Sequence, residues 1–235
     1  MTAADILAEL KPLGHESYKK VMLNHGAKEP FYGVKVEDLK KIQKRIKKDY
    51  QLALDLYDTG VSDAMYLAGL IADDAKMTEK DLQHWAEKAY FPLMSECTVA
   101  WVAAESAHGR EMALSWIDSK KENIASSGWA TLSSLVGIKA DEDLDIPELK
   151  KLLERVGKTI HEQPNRVRHV MNGFIIAVGS YVQALTDAAN QTAKKVGKVS
   201  VEMNGTACKV PDAAEYIQKV AKRGSIGKKR KTAKC

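Results

Sequence analysis

The feature that most limits what this chain can fold into is a rhythm. Before residue 196, apolar residues recur at three- and four-residue spacing in short stretches, cut by glycine, proline or a capping residue. Thr2 opens a helix through Leu10 that Pro12 and Gly14 end, and a second runs from about Glu16 to Asn24 before Gly26. Val36 to Lys48 carries Leu39, Ile42 and Ile46 on one edge. Segments 50–57 and 62–72 follow, the latter with Met65, Leu67, Leu70 and Ile71. Thr78, with acids in the following turn, starts another helix. Further helices are expected at 94–107, 109–118, 121–136, 146–161, 166–179 and 181–195. Strand signals are absent from all of this, so the chain reads as all-α. Short helices with brief connections stack in pairs, which predicts a HEAT-like or ARM-type helical solenoid over residues 1–195. Letter-for-letter repetition is poor, and a compact irregular bundle is the alternative.

The last 40 residues break the rhythm. Segments 198–203 and 206–210 flank Asn204-Gly205, a dipeptide that favours a two-residue β-hairpin turn. Pro211 and Asp212 then start a last helix to about Lys222. Residues 196–223 therefore read as a β-hairpin plus helix extension, and 224–235 as a basic flexible tail. The tail decides how the charge is read. Residues 222–235 hold seven Lys/Arg and no acid, so removing them from a net charge of +5 leaves −2 for residues 1–221. Nucleic-acid affinity would come from local patches and the tail, not from a uniformly basic body.

Other classes are narrowed by what is missing. No apolar run approaches the roughly 20 residues needed to span a bilayer, and the N-terminus lacks the pattern of a secretory signal. Cys97, Cys208 and Cys235 are scattered, with no paired spacing, which fits a reducing cytoplasm rather than a disulfide or zinc framework. The histidines show no metal-ligand spacing on one helix, and no phosphate-binding glycine loop is present, so no cofactor or metal is expected.

Candidate binding residues fall in two places. Lys40, Lys44, Lys47 and Lys48 form a stripe opposite the apolar edge of their helix, either a solvated face or a track for a phosphate backbone. The segment 165–179 starts polar and cationic and ends apolar. Arg168 and Asn172 share a helical face with Gly179 further along it, and Arg166 and His169 lie nearby. Such groups at the root of an apolar helix need water, an acidic partner or an anionic ligand. They form an internal salt bridge or the wall of a phosphate-binding groove. Among the tryptophans, Trp116 and Trp129 fit apolar helix faces, while Trp101 and Trp129 are the candidates for aromatics that touch bases or sugars. Glu96 and Glu105 are carboxylates among apolar residues, each a salt-bridge partner or a catalytic group.

Met22-Leu23-Asn24-His25, the run 33–41, the segment 121–132 and Gly173-Phe174 together resemble the bacterial DNA alkylation repair family of HEAT-like repeat DNA glycosylases, over about residues 5–195. The resemblance implies a curved stack of helix pairs whose concave basic face holds duplex DNA. It also implies hydrolysis of the N-glycosidic bond of cationic N3- or N7-alkylated purines, with a carboxylate stabilising the sugar cation and positioning water. The family's paired tryptophans and Asp-Ser-x-Asp would fall near 93–97, where only Ser95 matches. The catalytic Asp lands on Cys97, the DNA-binding Arg on Gly128, the groove tryptophan on Phe174 and an early aromatic near Val21. None of Cys97, Gly128 or Val21 is assigned a catalytic role. Glu96, beside Cys97 but about 100° round a helix, is the remaining catalytic candidate. The expected function is DNA binding, with weak or altered excision or none. A non-catalytic scaffold for DNA structures or a protein partner is the second reading, and an unrelated thiol enzyme using Cys97 or Cys208 the third. The chain is expected to be a monomer.

Overall fold

The computed structural model describes residues 1–234, so Cys235 lies outside the described residues. It contains thirteen α-helices among them: α1 (Ala3–Leu10), α2 (Glu16–Asn24), α3 (Val36–Ile46), α4 (Tyr50–Asp58), α5 (Ser62–Ile71), α6 (Glu79–Lys88), α7 (Ala100–Glu105), α8 (Gly109–Trp116), α9 (Glu122–Ile138), α10 (Ile146–Thr159), α11 (Asn165–Tyr181), α12 (Thr186–Val196) and α13 (Ala213–Lys222). A π-helical segment, Leu93–Val99, leads directly into α7.

Local chemistry explains the boundaries. The hydroxyls of Thr2 and Thr78 accept the backbone N–H groups of Asp5 and Asp81, and those aspartates return the bond to the cap. Each reciprocal pair satisfies donors that a helix start leaves unpaired. Asp49, Asp145 and Asp212 cap α4, α10 and α13 in the same sense. Along α10, Leu149, Leu152, Leu153 and Val156 fall on one buried face, the spacing that binds an amphipathic helix to its neighbours.

The helices form two layers. α9 is the spine: it packs on α11 on one side and on α7 and the π segment on the other, and the π segment packs on α5. Behind this row, α4 packs on α5, α8 on α9, and α12 on both α10 and α11. Two apolar cores fill the space, one under α1–α6 and one under α9–α13. Half-buried Trp101 touches both, edge-on to Tyr66 at 5.7 Å. The all-α, stacked-pair expectation matches this arrangement.

The β-hairpin does not form. Asn204 (φ 50°) and Gly205 (φ 69°) make a tight reversal, closed by the Thr206 amide to the Met203 carbonyl at 3.0 Å. The arms stay apart because their pairing groups and side chains are engaged elsewhere. Asn165 accepts the Glu202 amide at 2.7 Å and donates to the Glu202 carbonyl at 2.9 Å, while Val199 is buried in the second core. Among the described residues the sole β-bridge joins Gly14 to Val34.

The tail is also not free. It runs back along the C-terminal ends of the row, from α11 to α9, α7 and α5. The Gly227 amide donates to the Ser180 carbonyl at 2.9 Å, and the Arg230 amide to the Gly137 carbonyl at 2.8 Å. Lys229 Nζ reaches the Val136 carbonyl at 2.9 Å and Asp141 at 2.8 Å. The Ala233 amide donates to Glu105 Oε1 at 2.7 Å. Lys234 Nζ lies 2.8 Å from Asp74 and 3.2 Å from the Ala72 carbonyl. The physical reason is general: helix C-termini present unpaired carbonyls and partial negative charge, so a cationic segment with free amides satisfies both.

Candidate nucleic-acid interface

Arg166 and Glu96 build the site from opposite elements. Arg166, in the first turn of α11, donates Nε to Glu96 Oε1 at 2.7 Å and Nη2 to Glu96 Oε2 at 2.6 Å. Its backbone amide donates to Glu122 Oε1 of α9 at 2.7 Å, and Nη1 approaches Met203 Sδ at 3.4 Å. Only 20% of the Arg166 side chain and 10% of the Glu96 side chain remain exposed. A two-pronged, largely buried pair of this kind occupies both carboxylate oxygens. His169 Nδ1 lies 3.2 Å from both Glu96 Oε2 and Arg166 Nη2. That nitrogen accepts from Arg166 when it is bare and donates to Glu96 when it carries a hydrogen.

An open cleft of about 340 Å³ begins at this pair. Small residues carve it: Ala130, Ser133 and Ser134 from α9, Gly173 and Ala177 from α11. A Cβ at Gly173 would meet nothing within 4 Å. Tyr181 and Arg230 close the far end, with the guanidinium 5.7 Å from the tyrosine ring centre. Glu96 and Cys97 both line the cleft although adjacent in sequence. They lie on the π segment, whose wider turn rotates successive residues less than an α-helix does. Such segments recur at functional sites.

Other predicted groups are elsewhere. Phe174 and Trp129 are 0% and 1% exposed and pack edge to face at 5.2 Å, so neither presents a ring to a ligand. Asn172 is 2% exposed and donates to the Pro211 carbonyl at 2.9 Å. Arg168, half-buried, reaches Asn165 Oδ1 at 3.4 Å. A Cβ at Gly179 would lie 2.4 Å from Ile217 of α13. The Asn172–Gly179 face of α11 is thus covered by the C-terminal segment, while His169, Gly173 and Ala177 form the face that lines the cleft. At Gly128 a Cβ would lie 2.8 Å from the Ile117 amide nitrogen and 2.9 Å from the Ala113 carbonyl oxygen. That position is the close contact between α9 and α8, and no side chain there reaches the cleft.

Exposed Lys44 and half-exposed Lys40 lie on α3, but the helix ends at Ile46 and Lys47 (φ 67°) turns the chain, so exposed Lys47 and Lys48 lie beyond it and not on one helical stripe. Lys48 lies 3.4 Å from Asp74 and 3.9 Å from Asp73. Asp74 is buried and shared with Lys234. Burial raises its pKa above the ordinary value, and Lys234 acts against that rise. Glu105, the second candidate carboxylate, receives the tail at Thr232 and Ala233. Reading the sequence missed Tyr181, Ser133 and Arg230. The signal that could have found the cleft is the run of small residues at 130, 133, 134, 173 and 177.

The sequence matches the DNA alkylation repair enzyme family over residues 6–217. The chain belongs to that family. Two uncharacterized Listeria proteins are similar over 221 residues, covering 92% of this chain and 95% of theirs: one from Listeria innocua serovar 6a at 35% identity and one from Listeria monocytogenes serovar 1/2a at 36%. A solved structure, described as a new family of proteins related to the HEAT-like repeat DNA glycosylases with affinity for branched DNA structures, superposes with a TM-score of 0.93 at 38% identity, over 100% of both chains. The HEAT-like repeat fold of this family member follows. No helix among its described residues is long and apolar enough to cross a membrane.

Proposed function

We propose that this chain binds branched DNA through the His169–Arg230 cleft face and the lysines of α3 and the turn after it, and that it does so without removing a base. The observation that carries the reading is the state of Glu96. It is the carboxylate nearest the position where the family resemblance expects a catalytic aspartate, and Arg166 holds both its oxygens. Glycosidic hydrolysis needs a carboxylate facing the sugar and a water, and Cys97 at the expected position supplies none. What the cleft offers is small-residue depth, the Tyr181 ring and the Arg230 guanidinium at its edge, a combination suited to a bent or open backbone. The affinity stated for the similar solved structure supports the choice of branched DNA as ligand.

The test compares a four-way junction with linear duplex of equal length. Junction binding should be tighter and fall steeply with salt. Equal affinity for both would remove branch recognition. Release of N7-methylguanine or N3-methyladenine from duplex by the wild-type chain, lost on Glu96→Gln, would overturn the non-excising reading.

A further inference from the structure

We infer that the docked tail is a rail for the DNA phosphate backbone, which joins the lysines of α3 and the turn after it to the Arg230 end of the cleft. This rests on the DNA-binding reading above. Its basis is the division of labour within the tail. Lys229 and Lys234 turn inward and pair with Asp141 and Asp74 at 2.8 Å each. Ala233 is 1% exposed and its amide is held by Glu105. Lys228, Arg230 and Lys231 are exposed, and none of the three makes an ion pair with a described residue. Inward groups anchor the segment, so outward cations sit on a fixed backbone rather than on a free one.

The anchors also reverse the sign of the rim. Asp74, Glu105 and Asp141 stand at or just beyond the C-terminal ends of α5, α7 and α9, where the helix dipole adds to their negative charge. Without the tail this edge would repel phosphate. With the tail in place, two of the acids are paired with lysines, the third is hydrogen-bonded, and three further cations face solvent. Continuity comes from Asp74: Lys234 reaches it from the tail and Lys48 from the turn after α3, at 3.4 Å. Arg230 carries the same line to the cleft, where it stands against Tyr181. A backbone laid along this edge meets Lys44, Lys47 and Lys48, then Lys231, Arg230 and Lys228. An ordered rail contributes more than a loose basic tail because its side chains are positioned before binding.

Two full-length variants test this on a four-way DNA junction between about 50 and 200 mM salt. The Lys228→Gln, Arg230→Gln, Lys231→Gln variant keeps every anchor. Its log-affinity against log-salt slope should shrink by about two to three, at roughly 0.9 per lost phosphate contact. The Asp141→Asn, Glu105→Gln variant keeps every tail cation but releases two of the three anchors. It should be cut faster by trypsin at 228–231 and bind the junction more weakly, although it has lost two negative charges. An unchanged slope in the first variant, or tighter binding by the second, overturns the rail. Tighter binding would instead make the docked tail an obstruction. Failure of the wild-type chain to bind any DNA overturns the DNA-binding reading, and the rail with it.

Discussion

Replacing Glu96 by Gln leaves the shape of the side chain and removes the charge that Arg166 grips. The Arg166 guanidinium then remains four-fifths buried with an amide in place of its anion. Removing one partner of a fully buried ion pair costs about 3–5 kcal/mol, and an exposed pair is worth about 0–1. With 20% and 10% of the two side chains exposed, the expected loss lies nearer the first case, about 2–3 kcal/mol. For a chain of this size that lowers the melting midpoint by roughly 5–10 °C. Arg166→Met should cost at least as much, because it strands the more buried carboxylate. The double variant should lose clearly less than the sum of the two, with a coupling of about 1.5 kcal/mol or more. Urea unfolding of the four proteins measures the cycle. Single losses below about 0.5 kcal/mol that simply add would refute the argument, since Glu96 would then be unengaged and available for chemistry.

Gly128→Ala should destabilise the fold by about 1–3 kcal/mol, as overpacking does, because its methyl meets the backbone of α8. Chemical unfolding reads this directly, and neutrality would mean that α8 and α9 are further apart than described. Lys234→Met should lose more stability at pH 7 than near pH 4. The Asp74 pKa is already raised by burial, and loss of Lys234 raises it further. Stability then falls as pH climbs from the ordinary carboxyl range, about 4, through the higher folded value. An equal loss at both pH values would show that the pair does not form. Asn165→Ala should free the 198–210 loop, seen as faster amide exchange at Glu202 with little change in global stability.

The helices and their ends were legible because capping and periodicity are local: Thr78 with Asp81 needs four residues of sequence. The rotation of α11 was not. Two stripes begin with a cation and continue through small residues, Arg168–Asn172–Gly179 and Arg166–His169–Gly173–Ala177. Which one is covered depends on Ile217, which lies beyond the 198–210 loop. Phe174 and Trp129 show the same limit, since an aromatic in a groove wall and one in a core have the same neighbours in sequence. The hairpin failed because β-pattern and turn chemistry do not reveal that Asn165 takes the Glu202 backbone groups. In the tail the charges were plain, but its anchors Asp74, Glu105 and Asp141 are scattered over 68 positions.

A stack of helical repeats is ordinarily an open line, in which each unit feels only its neighbours and either end can fray without the other. Here the bond from Lys234 to Asp74 spans 160 positions and brings the last described residue back beside α5. The line becomes a circuit. The first core cannot open at Asp74 without releasing the strand of chain that also closes α7, α9 and α11. The two cores should therefore melt as one unit, and removal of a few C-terminal residues should split that single transition into two.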